Sequence, residues 1–476
     1  MDELEMKEIS ISEEEMWISP EKNLPEAEEL IALIEEKKIS EFRALVENIP
    51  APDMGAIMDD VPKEKRLIFY RLLPKDQATD VFIEMSTEIQ EELISAFSDK
   101  ELSETFSELY LDDTVDIIEE MPAVVVKRIL KNSSPENRSA INQLLRYPKD
   151  SAGTIMTTEY VRLFSYMTVE EALLHIRDVA IDKETIYTCY VTDKNRRLIG
   201  LVTAKSLMLS NRTTLLSDIM EESVIFALTT EDKEEVANKF NKYGFIALPV
   251  VDNEHRLVGI VTVDDALYVL HEEAEEDFAK MAAIIPSETE YLKTPAFNIF
   301  KARIPWLLLL MISATFSSAI LSFFEASLIP VLVLFVPMLM DTGGNSGSQA
   351  SVTAIRGLST GEVALADVFR FLYKEIRVGA LCGVTLGVVA FGKVMLVDRL
   401  MMGNPSVTVI VALAVSIALT ATIIVAKIIG STLPLLAKRL GLDPAVMASP
   451  FITTIVDAIG LILYFLISAN IFGLTV

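Results

Sequence analysis

From residue 296 to its end the chain is dominated by apolar runs of about 20 residues, long enough to cross roughly 30 Å of hydrocarbon as helices. In lipid every backbone polar group must find a partner within the protein, so such runs can fold in few ways. Five spans are expected, at about Pro305–Phe324, Leu328–Ile355, Val378–Val397, Val407–Leu436 and Pro450–Phe472. The last contains one charged residue, Asp457. A carboxylate at a helix centre costs about 2.5–3.5 kcal/mol. Two readings remain open: Asp457 meets a cation that comes and goes, or it pairs with Lys427 of the fourth span.

The second span is interrupted by Pro330 and Pro337 and continues into Asp341-Thr-Gly-Gly-Asn-Ser-Gly-Ser-Gln349. Glycines, hydroxyls and amides at membrane depth suit a wet cavity or close helix packing. In the first case the carbonyls of Gly343, Gly344 and Gly347, with Asn345 and Gln349, form an uncharged oxygen wall suited to a hydrated cation. Small and hydroxyl residues of the fourth span, Ser416, Thr420, Thr422, Gly430, Ser431 and Thr432, leave the same two readings. Asp443-Pro444 reads as an N-cap followed by the first helical residue.

Eight basic residues (Lys301, Arg303, Arg356, Arg370, Lys374, Arg377, Lys438 and Arg439) fall on one side of these spans, against Arg399 and the nearby Lys393. That bias sets the N-terminal body in the cytoplasm and the C-terminus outside, in the cell (inner) membrane. The first 17 residues are acidic and lack an apolar run, so no signal peptide is expected.

Residues 1–295 hold 61 of the 69 acidic residues and 31 of the 42 basic ones, a net charge of −30, whereas the remainder carries +3. This argues against nucleic acid or anionic lipid as a partner of the soluble half and favours cations. Cys189 and Cys382 imply no disulfide framework, and three histidines give no evident zinc spacing. No Walker loop or nucleophile–base pair is present, so no enzyme is expected.

The middle of the chain is duplicated. Val-Thr-Asp193-Lys-Asn-Arg-Arg-Leu-Ile-Gly200-Leu-Val-Thr203 matches Val-Asp252-Asn-Glu-His-Arg-Leu-Val-Gly259-Ile-Val-Thr262 at an offset of 59, and Ile155-Met156 matches Ile219-Met220 at 64. Each copy reads as strand, turn, strand, helix, and two such units pair about a pseudo-two-fold axis. The pattern resembles a tandem cystathionine-β-synthase-type (CBS) module. By that resemblance Thr262 and Asp265 are the nucleotide-contacting pair of the second copy, whereas Ser206 stands in place of the acid in the first, which speaks against nucleotide binding.

Residues 24–147 read as short amphipathic helices stacked as a solenoid, with self-similarity at Asp60-Val-Pro, Glu84-Met-Ser and Glu120-Met-Pro. Asp112 and Asp116 are spaced i, i+4, a repulsive pair unless solvated or bridged by a cation. Glu273, Glu276 and Asp277 share one face of the stretch after His271. Carboxylates ~4 Å apart repel by roughly 4 kcal/mol, and a divalent cation reverses that sign. This stretch is either a metal-controlled latch or a solvated charged helix.

The order acidic helical domain, CBS pair, acidic connector and five spans, with Gly-Gly-Asn-Ser-Gly-Ser-Gln349 and Asp443-Pro-Ala-x6-Pro450-x-x-Thr-Thr-x-x-Asp457, resembles MgtE-type magnesium channels. The resemblance implies a multidomain membrane protein with six segments. These are an acidic tail (1–23), an α-helical solenoid N domain (24–147), CBS repeats (148–213 and 214–271) of α/β type, an acidic connecting plug helix (272–300), and an all-α transmembrane domain of five helices (301–476). It implies a homodimer that passes hydrated Mg²⁺ between paired Asp457 side chains, with Asp443 at the pore. It also implies regulatory Mg²⁺ at Asp80, Asp112, Asp116, Asp232, Glu234, Asp265, Glu273, Glu276 and Asp277. Tyr268 and Gly244 stand where the family has acids, and Ser449 where it commonly has Asn. A proton-coupled divalent-cation transporter with Asp457 as proton carrier is the alternative, and a CBS-gated anion channel a third class.

Overall fold

The computed structural model describes residues 24–286, 291, 294–325, 329–447 and 449–473. The acidic tail of residues 1–23 lies outside them. The chain divides into two compact units, up to Val269 and from Leu270.

The first unit opens with ten helices, α1 (Ala27–Glu35) to α10 (Pro135–Leu144), whose first residues recur every 12 positions: 27, 39, 51, 63, 75, 87, 99, 111, 123, 135. This period explains the self-similar tripeptides. They fall at the junctions where Pro62, Ser86 and Pro122 stand as N-caps in extended backbone, with no side-chain capping hydrogen bond. Helices two apart pack together in α1–α3, α3–α5, α4–α6, α7–α9 and α8–α10, and side chains bridge about 30 residues, as in Arg71–Glu101 at 2.8 Å and Thr79–Glu108 at 2.9 Å. Phe42, Phe69, Phe82 and Leu93 fill the interior.

The two repeats follow. β1 (Tyr160–Phe164) runs parallel to β2 (Thr185–Thr192), which is antiparallel to β3 (Leu198–Thr203). The second copy repeats this with β4 (Ala227–Leu228), β5 (Ala247–Val251) and β6 (Leu257–Thr262). Thr157 bridges Ile260 while its counterpart Glu221 bridges Leu201. A Cβ on Gly259 would meet Met156 Sδ at 2.7 Å, and one on Gly200 would meet Met220 Sδ at 2.9 Å. Each copy therefore lends its opening residues to the other's sheet.

The second unit contains most of a helix that begins in the last repeat, α15 (Val263–Met281), so the sequence boundary at 271/272 falls inside one continuous helix. Of the connector expected at 272–300, residues 272–281 form the C-terminal part of that helix and 296–300 already belong to the following one, α16, which begins at Ala296.

Among the described residues four segments are long and apolar enough to cross a membrane: Ala296–Phe324 (within α16, Ala296–Glu325), Leu365–Met401 (containing α19, Val368–Lys393), Val409–Arg439 (α20) and Pro444–Phe472 (containing α21, Ser449–Phe472). The fifth, α18 (Val336–Ser359), is more polar and packs against α20 and α21. A single turn, α17 (Pro330–Val333), precedes it. The expected interruption falls just before Pro337: the helix breaks at Leu334–Phe335, and Pro337 sits in the first turn of α18, where no intrahelical N–H bond is lost. Leu332, Phe335, Leu339, Val411, Val415, Tyr464 and Phe465 form the bundle core.

Candidate functional site

Residues 341–351 are helical throughout, so the backbone carbonyls of Gly343, Gly344 and Gly347 belong to a helical ladder and do not form an unwound wall. These glycines serve close packing. A Cβ on Gly343 would meet Thr422, one on Gly344 would meet Thr453 at 3.1 Å, and one on Gly347 would meet Ile452 at 2.9 Å. Small residues let α18 lie tight against α20 and α21. The polar side chains take the other face. Asp341, Asn345 and Gln349 are exposed in this chain, and Asn345 Nδ2 donates to Asp341 Oδ1 at 3.3 Å.

Asp457 is half-buried on α21, two turns from its N-terminus. Its Oδ1 lies 3.7 Å from where a Cβ on Gly344 would stand, and Asp341 acts on it electrostatically. Among the described residues no ion pair joins Lys427 to Asp457; the Lys427 ammonium instead donates to Gln349 Oε1 at 3.4 Å. The bundle thus holds two neighbouring carboxylates beside amide groups at membrane depth. That combination suits a cation retaining its water, since Mg²⁺ dehydrates reluctantly.

The first unit holds a second concentration of acid. Asp112 and Asp116 lie on α8 (Leu111–Glu120) with Asp113, and they interact with Asp265 in the first turn of α15. Glu159 and Glu184 of the first repeat, and Asp264, join them. Asp112 is only 7% exposed, and its Oδ1 is a buried oxygen without a hydrogen bond, as is Glu184 Oε2. Burial, then the neighbouring negative charges, push Asp112 well above the usual carboxylate range. The same causes take Asp113, Asp116 and Glu184 to about 7. Burial takes Asp265 to about 6, although Thr262 Oγ1 donates to its Oδ2 at 2.5 Å. Asp80 lies at the margin, raising Glu84 after burial has done so.

Among the described residues no three carboxylates close into a set that could directly hold a metal. The spacing and the unpartnered oxygens fit an ion bound through its own waters. Asp113, Asp264, Glu159 and Glu184 were not singled out from sequence. Asp264 was legible as the neighbour of Asp265, but Glu159 and Glu184 sit in turns with no motif.

The remaining candidates disperse. Asp232 is the N-cap of α14 (Lys233–Tyr243), accepting from the Glu234 backbone N–H at 2.8 Å. Ser206 closes a reciprocal cap with Thr203, so a hydroxyl fills the place of the missing acid. Glu276 pairs with Lys280 at 2.7 Å, while Asp277 Oδ2 accepts from Ser359 at 3.4 Å. Asp443 accepts from the Ala445 backbone N–H at 2.8 Å, the N-cap geometry its sequence suggests. Its other oxygen binds Lys280.

A polar-faced bundle with paired carboxylates, joined to an acidic body containing paired CBS repeats, defines a multi-pass membrane protein of the cation-transporting class. Residues 336–467 match the family described as MgtE divalent cation transporters, residues 49–150 the MgtE intracellular N domain, and residues 152–210 and 216–272 the CBS domain. The magnesium transporter MgtE of Thermus thermophilus is 37% identical over 89% of this chain and 93% of its own length. The magnesium transporter MgtE of Bacillus subtilis is 32% identical over 92% of this chain and 95% of its own. A crystal structure of the cytosolic domain of the Mg²⁺ channel MgtE in complex with ATP is 38% identical, covering 51% of this chain and 99% of that one, at a TM-score of 0.49. The chain belongs to the MgtE family.

Proposed function

We propose that this protein carries hydrated Mg²⁺ across the membrane down its electrochemical gradient, as a homodimer whose two Asp457 carboxylates flank the path. The carrying observation is Asp457. It is the one charged side chain of α21, set beside Asp341 on the polar face of α18, with no cationic partner among the described residues. Two such carboxylates match the charge of one divalent ion, and the amides of Asn345 and Gln349 can bind its waters. An inside-negative potential of about 100 mV supplies roughly 4.6 kcal/mol to a divalent cation, so no ATP is needed for inward flow. The C-terminus lies outside the cell in this reading.

The soluble half is the regulator. Its buried acids repel one another when ionised, and Mg²⁺ relieves that repulsion in the compact arrangement. The ion therefore binds the compact form better and shifts the equilibrium towards it by that difference in affinity. Closing the pore at high cytoplasmic Mg²⁺ is the consequence. Thr262 and Asp265 are engaged with each other and with the acidic cluster, which supports a metal rather than a nucleotide role for Asp265.

The test is Mg²⁺ uptake into proteoliposomes with Asp457→Asn and Asp457→Ala. Loss of at least tenfold in flux, with unchanged folding by size-exclusion chromatography, supports the reading. Unchanged uptake refutes it. Flux that requires a pH gradient favours the proton-coupled alternative.

A further inference from the structure

A cavity of ≈ 810 Å³ lies among α18, α19 and α20, lined by Asn345, Ser348, Gln349, Thr353, Glu375 and Lys427, with Val352 and Val378 at its edge. Two charged side chains reach it from the bundle interior. Glu375 is 8% exposed and Lys427 is 5% exposed. Gly379, one turn beyond Glu375 on α19, makes room for the lysine stem: a Cβ there would meet Lys427 Cβ and Cγ at 3.3 Å. The two charges share a cavity without pairing. Lys427 Nζ turns to Gln349 Oε1 at 3.4 Å, and among the described residues Glu375 has no hydrogen-bond or ion-pair partner. The Glu375 carboxylate therefore opens onto the cavity, where water or a cation meets it.

We propose that this cavity is a second, low-affinity site for a hydrated divalent cation, beside the Asn345–Gln349 face, with Glu375 as its anion and Lys427 as a tethered competitor. The inference deepens the transport reading and rests on it. The donor set is hard oxygen throughout: one carboxylate, amide oxygens and hydroxyls. Such donors suit an ion that keeps its hydration shell. The volume accommodates that shell. Lys427 supplies the second requirement of a conducting site, which is that the ion must also leave. Its ammonium opposes tight binding without occupying the carboxylate, because the Gln349 carbonyl holds it to one side. A resident ion pair between Glu375 and Lys427 would extinguish the site, and the observed geometry avoids that pair.

The experiment is concentration-dependent Mg²⁺ uptake by the full-length protein in proteoliposomes. Glu375→Gln is expected to raise KM for Mg²⁺ by about tenfold with a smaller change in maximal rate, and Glu375→Asp to restore it. Lys427→Met is expected to lower KM by a similar factor and to slow the maximal rate, since release becomes limiting. In the double variant the effect of Lys427→Met on KM should vanish, because it acts through the carboxylate. If the wild type transports and both single variants leave KM unchanged, the second site is refuted while transport by Asp457 stands. A fall in maximal rate alone that Glu375→Asp does not rescue marks a structural pair and also refutes it. A wild type that moves no Mg²⁺ removes the transport reading and this site with it.

Discussion

Lys280 Nζ stands 2.6 Å from Asp443 Oδ2 and 2.7 Å from Glu276 Oε1. One ammonium thus neutralises the last turns of α15 and the short turn before α21 together. Asp277, beside it, is raised from the ordinary carboxylate range by burial and then by Asp443. Met281 packs against the Ile355–Ala445 pair at the same place. Without the lysine, Glu276, Asp277 and Asp443 would face one another unneutralised. Lys280→Gln should therefore leave this contact dependent on Mg²⁺. In EDTA, limited proteolysis after residue 281 should accelerate roughly fivefold over wild type, in line with a partly exposed ion pair worth ~1 kcal/mol. Millimolar Mg²⁺ should restore protection. Equal cleavage of the two proteins in EDTA would show that the lysine holds nothing.

The α8 acids give a pH dependence with a definite sign. Asp113, Asp116 and Glu184 are raised to about 7 in the folded protein from ordinary values of 3.8 to 4.5. A raised acid stabilises the fold below its unfolded pKa, and that contribution is lost as pH rises through the folded value. In EDTA, thermal stability of the first unit within the full-length protein should fall between about pH 4 and pH 7. Saturating Mg²⁺ should flatten the profile by binding the ionised form. Rising stability across that window in EDTA would contradict the cluster.

Asp112 carries the most extreme burden of that group, a buried carboxyl group with an unpartnered oxygen, costly to ionise among its acidic neighbours. Asp112→Asn removes the ionisable group and keeps the shape. Without divalent ions the variant should be more stable than wild type by about 1–3 kcal/mol. The gain on adding Mg²⁺ should shrink at the same time. Thermal shift assays with and without Mg²⁺ read both effects, and an unchanged Mg²⁺ response would dissociate Asp112 from metal sensing.

Gly430 on α20 faces Gly347 on α18, and a Cβ on Gly430 would collide with the Gly347 carbonyl oxygen. Backbone cannot yield as a side-chain tip can. Gly430→Ala should cost about 1–3 kcal/mol through overpacking. A lower aggregation temperature in detergent is the expected readout, whereas Gly392→Ala, where nothing lies within 4 Å, should behave as wild type.

The sequence carried its information unevenly, for physical reasons. Hydropathy marked the spans because lipid admits few alternatives, and the CBS duplication was legible because Gly200 and Gly259 must each admit the other copy's methionine. Asp457 was legible for its isolation. The glycines of α18 were ambiguous: composition does not distinguish an unwound oxygen wall from tight packing, and here packing accounts for Gly343, Gly344 and Gly347. Glu184 and Lys280 were invisible as site residues because Asp113, Asp265 and Asp443 are distant from them in sequence, and Glu375 because Gln349 and Lys427, which share its cavity, stand on other helices. Lys427 was noticed only as a possible mate for Asp457, and the fold turned it towards Gln349 instead.

The twelve-residue recurrence of helix starts from 27 to 135 sets a strict phase for everything downstream of it. Losing one residue inside any of these helices would turn the part beyond it by about 100° about the helix axis, so that its apolar residues no longer meet those of the helices beside it. Removing a whole dozen would preserve phase and merely shorten the stack. A deletion of twelve residues is therefore expected to leave a folded, shorter stack, whereas a deletion of one residue inside α3 (Ala51–Asp60) is expected to unseat its neighbours.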